Sequence, residues 1–336
     1  MNLLRAEKTI YLKGPYIALP EVVMSNQDIL DWMNSSQNPT VIGFSTGIKH
    51  RCWVTDDQAC SDLAVMASER LFTAKPDEKE NVRQIILATI SGDYPAPPTS
   101  PLVQYRLGLN QAGAFDVGAA CAGFVVGLHT SASLALNTSG SVLLIASEIR
   151  SKFLNKDNFA TSVLFGDGAA ACIVSKDGKN AEFRFLASAL FADGEVSDIV
   201  STPAGGSRLP ASRCEDQAQF FITIKESTAL FVKAVNGMVE SALDFLKELG
   251  LQPGDIQWLV PHQGNKNLVL SVAKQLGIPE ENTMKTVEET GNTSGSSVGI
   301  ALDDLRVNKP IKANDKVLLV AAGGGGIAAC ALLEVV

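Results

Sequence analysis

Short apolar, β-branched runs alternate along the chain with longer amphipathic segments. Each half shows the same order: an amphipathic helix, a strand, a second helix that begins among small or polar residues, and a second strand. The predicted segments are 61–72, 82–91, 115–136 and 141–149 in the first half, and 229–250, 256–265, 290–305 and 316–326 in the second. This alternation predicts an α/β fold with a largely parallel, buried sheet.

The repeated order also predicts two similar βα units that stack as layers, with helices between and outside the sheets. No low-complexity linker separates the units, and we place the boundary between residues 178 and 179. The predicted halves are therefore residues 1–178 and residues 179–336.

Composition narrows the classes of function. The chain has 336 residues, 46% of them hydrophobic, so it can bury a large core. Its net charge is −8 and it has no long polybasic run, which argues against a nucleic-acid partner. Its six cysteines form no CxxC pair and have no histidine-rich neighbourhood. We therefore predict no metal, no cofactor and no disulfide framework, and we expect a reducing cytoplasm.

Two segments bear on membrane insertion. The N-terminal residues include Arg5, Glu7 and Lys8, so no apolar signal core can be drawn there. The uncharged run 317–333 is interrupted by four consecutive glycines, which predicts two strands joined by a loop. We expect neither export nor a membrane span.

Four polar or glycine-rich positions lie at predicted strand ends. They are Cys121, His262, Asn292 and the glycines at 323–326. In α/β folds, ligands bind at the carboxyl ends of strands, where helix N-termini present free N–H groups. We therefore expect these four positions to converge on one site.

Cys121 is the candidate nucleophile. At the first turn of an apolar helix, its thiol would lie at the positive end of the helix dipole, which lowers a thiol pKa and favours the thiolate. Ala120, Ala122 and Gly123 leave room for a substrate carbonyl. Packing is the alternative interpretation of any cysteine among small residues, and we adopt it for the cysteines at positions 52, 60, 172, 214 and 330.

A nucleophile needs a partner, and the chain offers three histidines. His129 lies about 12 Å along the same predicted helix from Cys121, and His50 lies in a charged segment. His262 follows an apolar strand and has no evident packing role, so we select it. Asn292 fits either a site residue or a turn or helix cap, and the glycine run fits either a tight turn or an oxyanion hole.

In this order and at these spacings, GAACAGF, PHQGN and GNTSGSS resemble the β-ketoacyl-[acyl-carrier-protein] synthase III family of condensing enzymes. STGIKHR at 45–51, FGDGAAA at 165–171 and the closing glycine-rich strand pair also follow the family order. The resemblance covers nearly the whole chain. It implies the thiolase-like fold, in which two pseudo-repeated βα halves form an α-β-α-β-α layered sandwich.

The resemblance also implies a mechanism. Cys121 would take up an acyl group as a thioester, while the backbone N–H groups of Cys121 and Gly324 hold the oxyanion. His262 and Asn292 would hydrogen-bond the thioester carbonyl of malonyl carrier protein and stabilise the enolate left when carbon dioxide departs. The product would be a β-ketoacyl thioester, in fatty-acid initiation or secondary metabolism.

The chain departs from the family where coenzyme A binds. Coenzyme A-primed members carry a tryptophan shortly before TGI and an arginine before FGDG, which this chain lacks in both places. We therefore expect free coenzyme A to bind poorly and the acyl donor to be presented on a carrier protein, with an acyl-coenzyme A donor as the open alternative. Phe159, Asn265 and Lys266 are candidate substrate contacts. Lys233, Lys266 and Lys274 are candidates for carrier docking, with an ordinary solvated face as an equal alternative.

Relatives in this family pair their first-half sheets. In them, the loop that corresponds to the proline-rich segment 93–101 walls the neighbour's acyl pocket, so the resemblance implies a homodimer.

Two other functions stay open. Cys121 and His262 would also suit acyl transfer to an alcohol, an amine or water without decarboxylation. A non-catalytic scaffold or chain-length partner is the third hypothesis, which the joint presence of Cys121, His262 and Asn292 disfavours. Thiolases use a second reactive cysteine near the C-terminus, but Cys330 lies within the predicted last strand and is assigned to packing.

Overall fold

The computed structural model describes residues 2–336, apart from the side chains of residue 2 and residues 6–8. Its strands are β1 (Asn2–Ala18), β2 (Val22–Ser25), β3 (His50–Trp53), β4 (Val82–Ala88), β5 (Gly113–Val117), β6 (Ser141–Glu148), β7 (Gly168–Ser175), β8 (Phe183–Ala192), β9 (Val200–Ser201), β10 (Thr223–Ile224), β11 (Trp258–Pro261), β12 (Lys316–Gly323) and β13 (Ile327–Val335). Its α-helices are α1 (Asn26–Trp32), α2 (Pro39–Thr46), α3 (Cys60–Ala74), α4 (Ser100–Arg106), α5 (Gly123–Asn137), α6 (Phe159–Ser162), α7 (Ser227–Glu248), α8 (Lys266–Leu276), α9 (Val287–Thr290) and α10 (Ser297–Asn308).

The largest sheet has nine strands in the order β11-β12-β13-β8-β1-β7-β6-β4-β5. β1 lies at its centre and pairs antiparallel with both β7 and β8. Strands from both predicted halves therefore meet in one hydrogen-bonded sheet. The boundary proposed at residues 178 and 179 lies in the connection between β7 and β8.

Successive side chains of each strand point to opposite faces of the sheet, so they pack in different layers. In β6, every other residue from Val142 faces a central core that contains α5 and α10, and the residues between them face α3. In β12, every other residue from Val317 faces the same central core, and the residues between them face α7 and α8. Helices thus lie outside and between two arms of the sheet, which is the predicted α-β-α-β-α order.

α5 is the helix between the two arms. Together with the preceding turn, the span Ala120–Asn137 is long and apolar enough to cross a membrane by length and composition alone. Phe124, Val125 and Leu128 are fully enclosed in the central core. The hydrophobicity of α5 is therefore that of a helix packed on several sides by protein.

The sheet is mixed, so the prediction of a largely parallel sheet was wrong. β4 pairs in parallel with β5 and β6, and β11 pairs in parallel with β12. The other neighbouring pairs in the nine-stranded sheet are antiparallel. The glycine run separates β12 from β13 as predicted, and this connection is too short for the crossover that parallel strands need.

Candidate active site

Cys121 lies in a single 3₁₀ turn, Ala120–Ala122, immediately before α5. Ala120 has a φ of +45°, a left-handed conformation that costs a residue with a Cβ about 1–2 kcal/mol. Gly295 packs against this turn, since a Cβ at that position would lie 2.8 Å from the Ala120 carbonyl oxygen. The strained turn is thus supported by the segment that follows Asn292.

Burial raises the pKa of the Cys121 thiol above its ordinary value. Contact with the Ser294 hydroxyl, whose Oγ lies 3.8 Å from Sγ, lowers the pKa, as do the charge of Arg150 and the N–H of Gly324; the charge of Glu148 raises it. Desolvation is the largest of these effects, so the pKa is raised where the sequence argument from the helix N-terminus predicted that it is lowered.

The other five cysteines lie away from Cys121, outside the cavity that it lines. Cys52, Cys60, Cys172 and Cys330 are buried, and burial raises the pKa of Cys60 and of Cys330 to about 12. Cys330 lies in β13, where its thiol contacts the Ser241 hydroxyl. Its placement agrees with a packing role. Cys214 differs from these four, because it is only partly buried.

His262 follows β11, and its N–H donates to the Val320 carbonyl of β12. The residue is 4% exposed, and burial lowers its pKa to about 4, so the ring is neutral at neutral pH. Nδ1 lies 2.9 Å from Ser297 Oγ, which also accepts the Gln263 N–H at 3.4 Å. Nδ1 is the only acceptor that the buried Ser297 hydroxyl proton has in the described part of the chain, so we assign the ring proton to Nε2.

Asn292 is held by its backbone and by its side chain. Its N–H donates to the Leu164 carbonyl at 2.9 Å, and its carbonyl accepts the Gly166 N–H at 3.0 Å. The side-chain Oδ1 accepts the Ser294 N–H at 2.9 Å. This last bond fixes the orientation of the amide and leaves its NH₂ group as the free donor.

The glycine run brings the end of β12 against the cysteine. A Cβ at Gly323 would lie 2.9 Å from the Cys121 backbone nitrogen, so the close approach requires glycine. The Gly324 N–H is near enough to hydrogen-bond the sulfur. Gly326 has a φ of +72°, and a Cβ there would lie 1.8 Å from the Asp193 carbonyl oxygen, so this turn also requires glycine.

Cys121, His262 and Asn292 line a single cavity of about 320 Å³, together with Gly323 and Gly324. The structure therefore brings these residues together. The prediction that each of them follows a strand was wrong for Asn292, which follows the short helix α9. Most of the remaining wall is apolar: Phe159, Val163, Leu164, Phe165, Ile224, Leu230 and Phe231.

The three candidate substrate contacts have different positions. Phe159 and Asn265 line the cavity. Asn265 is also the N-cap of α8, where its Oδ1 accepts the Leu268 N–H at 2.8 Å. Lys266 does not line the cavity, and its Nζ pairs with Glu288 at 3.1 Å. Its charge is thus directed toward α9.

Sequence reasoning missed four polar residues of this region: Ser294, Ser297, Glu148 and Arg150. The two serines lie in the SGSS segment after Asn292, and that segment was the available signal. Glu148 ends β6 and accepts a hydrogen bond from Ser91, while burial raises its pKa to about 7. No motif marked Glu148 or Arg150.

Two models of one protein family match this chain. The model for 3-oxoacyl-[acyl-carrier-protein (ACP)] synthase III matches residues 115–194, and the model for its C-terminal region matches residues 246–335. The β-ketoacyl-[acyl-carrier-protein] synthase III of Chlamydia caviae is 39% identical over 321 residues, which cover 94% of this chain and 93% of the relative. The chain belongs to the β-ketoacyl-[acyl-carrier-protein] synthase III family. The resemblance drawn from the motifs is confirmed, as is the assignment to condensing acyltransferases.

Solved structures of synthase III proteins share the fold. The 3-oxoacyl-(acyl carrier protein) synthase III of Pseudomonas aeruginosa has a TM-score of 0.88 and 32% identity, covering 97% of this chain and 98% of that chain. The priming β-ketosynthase of the R1128 polyketide biosynthetic pathway has a TM-score of 0.86 and 26% identity, covering 99% and 98%. The predicted thiolase-like fold is confirmed.

Proposed function

We propose that this synthase III loads an acyl group onto Cys121 and condenses it with the malonyl group of a carrier protein. The observation that carries the proposal is a cavity that holds a cysteine, a neutral histidine and an asparagine with its NH₂ group free. The names of the relatives, β-ketoacyl-[acyl-carrier-protein] synthase III, support the same partner and product.

In the loading step, the sulfur of Cys121 attacks the carbonyl carbon of an acyl thioester. The thiol proton passes to the departing thiol, and the carbonyl oxygen becomes an oxyanion. The N–H groups of Cys121 and Gly324 stabilise this charge, because both lie where β12 approaches the cysteine turn. Collapse of the intermediate breaks the bond to the leaving sulfur and leaves acyl-Cys121.

In the condensing step, the malonyl thioester loses carbon dioxide, and the electrons of the broken bond form an enolate. Nε2–H of His262 and the Asn292 NH₂ group donate to the enolate oxygen. Ser297 keeps the proton on Nε2, and burial keeps the ring neutral. The carbanion then attacks acyl-Cys121, a carbon–carbon bond forms, and the thiolate of Cys121 is released.

Release of labelled carbon dioxide tests this proposal against simple acyl transfer. The protein is incubated with an acyl donor and with malonyl carrier protein labelled in its free carboxyl group. Condensation produces one labelled carbon dioxide for each β-ketoacyl product. Acyl transfer to an alcohol, an amine or water would proceed without the extender and without label release.

We further propose that the donor is an acyl carrier protein. Ser45 and Thr46 of α2 line the cavity, and Val41 and Phe44 on the same helix are 46% and 87% exposed. Phe159, an uncharged residue, lines the same cavity. An apolar entrance suits the phosphopantetheine arm better than the 3′-phosphate of coenzyme A.

Surface lysines would supply the positive charge that docks an acidic carrier protein. Lys266 is ion-paired with Glu288, whereas Lys233 and Lys274 are exposed. Lys274 lies in the last turn of α8, about 12 Å along the helix from Lys266. Of the three candidates, Lys233 and Lys274 are therefore the two exposed lysines that remain for an acidic carrier.

The same acyl chain, presented on carrier protein and on coenzyme A, should load Cys121 at different rates. We expect loading from carrier protein to be at least roughly tenfold faster at low salt and to slow as salt screens the docking charges. The measurement is the initial rate of the Cys121 mass shift at two ionic strengths. Faster, salt-insensitive loading from coenzyme A would contradict the donor assignment.

We also propose a homodimer formed through β5, the edge strand of the sheet. Phe115 on β5, Ile90, Tyr94 and Tyr105 are large, exposed apolar or aromatic residues on or beside this edge. An uncovered apolar edge is a site of association. We expect light scattering at micromolar concentration to give twice the chain mass, and Phe115→Glu to shift it toward the monomer. A monomeric wild type would disprove this assembly.

A cytoplasmic location is part of the same proposal. All six cysteines are free in the structure, which suits a reducing compartment.

A further inference from the structure

Arg150 places a buried cation beside the active-site cavity. It follows β6 directly and is only 7% exposed. Its guanidinium carbon lies 5.6 Å from the centre of the Phe153 ring and 5.8 Å from that of the Phe165 ring. Phe165 lines the cavity, whereas Arg150 itself does not and packs against that ring. The guanidinium is also near enough to Cys121 to lower the pKa of its thiol.

This guanidinium lacks a direct counter-ion in the described part of the chain. None of the ion pairs between residues 2 and 336 involves Arg150, and its Nε is enclosed without a hydrogen-bond partner. Arginine is seldom buried without a partner, because removing its charge from water is costly. Aromatic faces offset only part of that cost.

The two acids closest in the fold have other partners. Asp167 accepts the backbone N–H groups of Arg150 and Ser151, at 2.6 and 2.8 Å, so its contact with Arg150 is through the main chain. Glu148 accepts from Ser91 and forms no direct ion pair with Arg150 in the described part of the chain; burial raises its pKa to about 7, and the charge of Arg150 opposes that rise. Glu148 is therefore only partly ionised at neutral pH.

Resting on the proposed function, we propose that Arg150 selects acyl groups that carry a carboxylate at the end opposite the thioester. The acyl carbonyl would lie at Cys121 and the chain would follow the apolar wall toward Phe165. With a shift of the Phe165 side chain, the carboxylate would then meet the guanidinium, whose planar fork matches a carboxylate through two parallel hydrogen bonds. A half-thioester of a short dicarboxylic acid fits a cavity of about 320 Å³.

The selectivity has a simple physical origin. A carboxylate supplies the negative charge and the hydrogen-bond acceptor that the Arg150 guanidinium lacks. Loading an anionic acyl group therefore gives the buried Arg150 Nε–H a partner. A methyl-terminated acyl group of the same length leaves that donor unmet. Arg150 is therefore assigned as a specificity residue for the acyl donor.

The test compares N-acetylcysteamine thioesters of matched length: succinyl against butanoyl, and glutaryl against pentanoyl. The initial rate of Cys121 acylation is followed by intact mass. We expect the dicarboxylic member of a pair to load at least roughly tenfold faster in the wild type. Arg150→Met should abolish or reverse this preference, while Arg150→Lys should retain part of it. The succinamoyl thioester separates charge from polarity and should load slowly.

Equal rates within both pairs, or faster loading of the methyl-terminated members, would overturn the assignment of Arg150. An unchanged preference in a folded Arg150→Met variant would also overturn it. If that variant does not fold, the wild-type comparison of succinyl with succinamoyl decides alone. Loading of all donors without preference rejects only the role of Arg150, whereas no loading of Cys121 by any donor rejects the proposed function as well.

Discussion

Cys121→Ala should abolish acyl loading and leave the protein folded. The sulfur is the atom that forms the thioester in the proposed mechanism. Alanine already occupies both neighbouring positions, so the substitution removes a single atom from a cavity wall. The measurement is the mass shift of the intact protein after incubation with acyl donor, with circular dichroism to show that the fold is retained.

Cys214→Ala is the matched control. Cys214 is also partly exposed, but it lies in the connection between β9 and β10, outside the cavity that contains Cys121. We expect this variant to load at the wild-type rate. An acyl adduct on the Cys121→Ala protein, or its loss in the Cys214→Ala protein, would place the nucleophile elsewhere.

His262→Ala and Asn292→Ala should each reduce decarboxylation at least about 10²-fold, the usual cost of removing one oxyanion donor. Loading should survive in both variants, because the oxyanion of that step is held by backbone N–H groups. The measurement is release of labelled carbon dioxide from malonyl carrier protein, using protein that has already been acylated. Burial lowers the pKa of His262 to about 4, so its ionisation should leave this rate unchanged between about pH 6 and 8.

His129→Ala and Asn137→Ala are the controls for these variants. His129 bonds to Ser188 within the core, and Asn137 lies exposed at the end of α5. Both variants should condense normally. Loss of loading with normal decarboxylation in His262→Ala would reverse the roles assigned here. A rate that falls as pH drops from 8 to 6 and depends on His262 would show that the ring titrates in that range.

The convergence of Cys121 and His262 was predictable because each follows a strand, whereas Asn292 follows the short helix α9. Residues at the carboxyl ends of strands meet at one side of a layered α/β fold. Pairing direction was less predictable, since it depends on how long each connection is and where the chain returns. The run of four glycines shows this: it marked a turn correctly, but the resulting hairpin made that part of the sheet antiparallel.

The electrostatics of the site were harder to predict. The pKa of the Cys121 thiol depends on burial by segments that are far apart in the sequence. Burial raises this pKa, whereas the position before a helix predicted a lowered pKa. Arg150 and Glu148 show the same limit. Nothing in the local sequence reveals that Arg150 is buried beside Phe165, because Phe165 comes from another part of the chain.

The order of the sheet has a consequence for synthesis on the ribosome. β13 joins β12 to β8, and it is synthesised after the other strands of the sheet. Until it emerges, the strands that carry His262 have no hydrogen-bonded connection to the strands that carry Cys121. The nascent chain therefore presents two open strand edges, β8 and β12, which invite pairing with other nascent chains. Slow translation or a chaperone at this stage would favour soluble protein during recombinant expression.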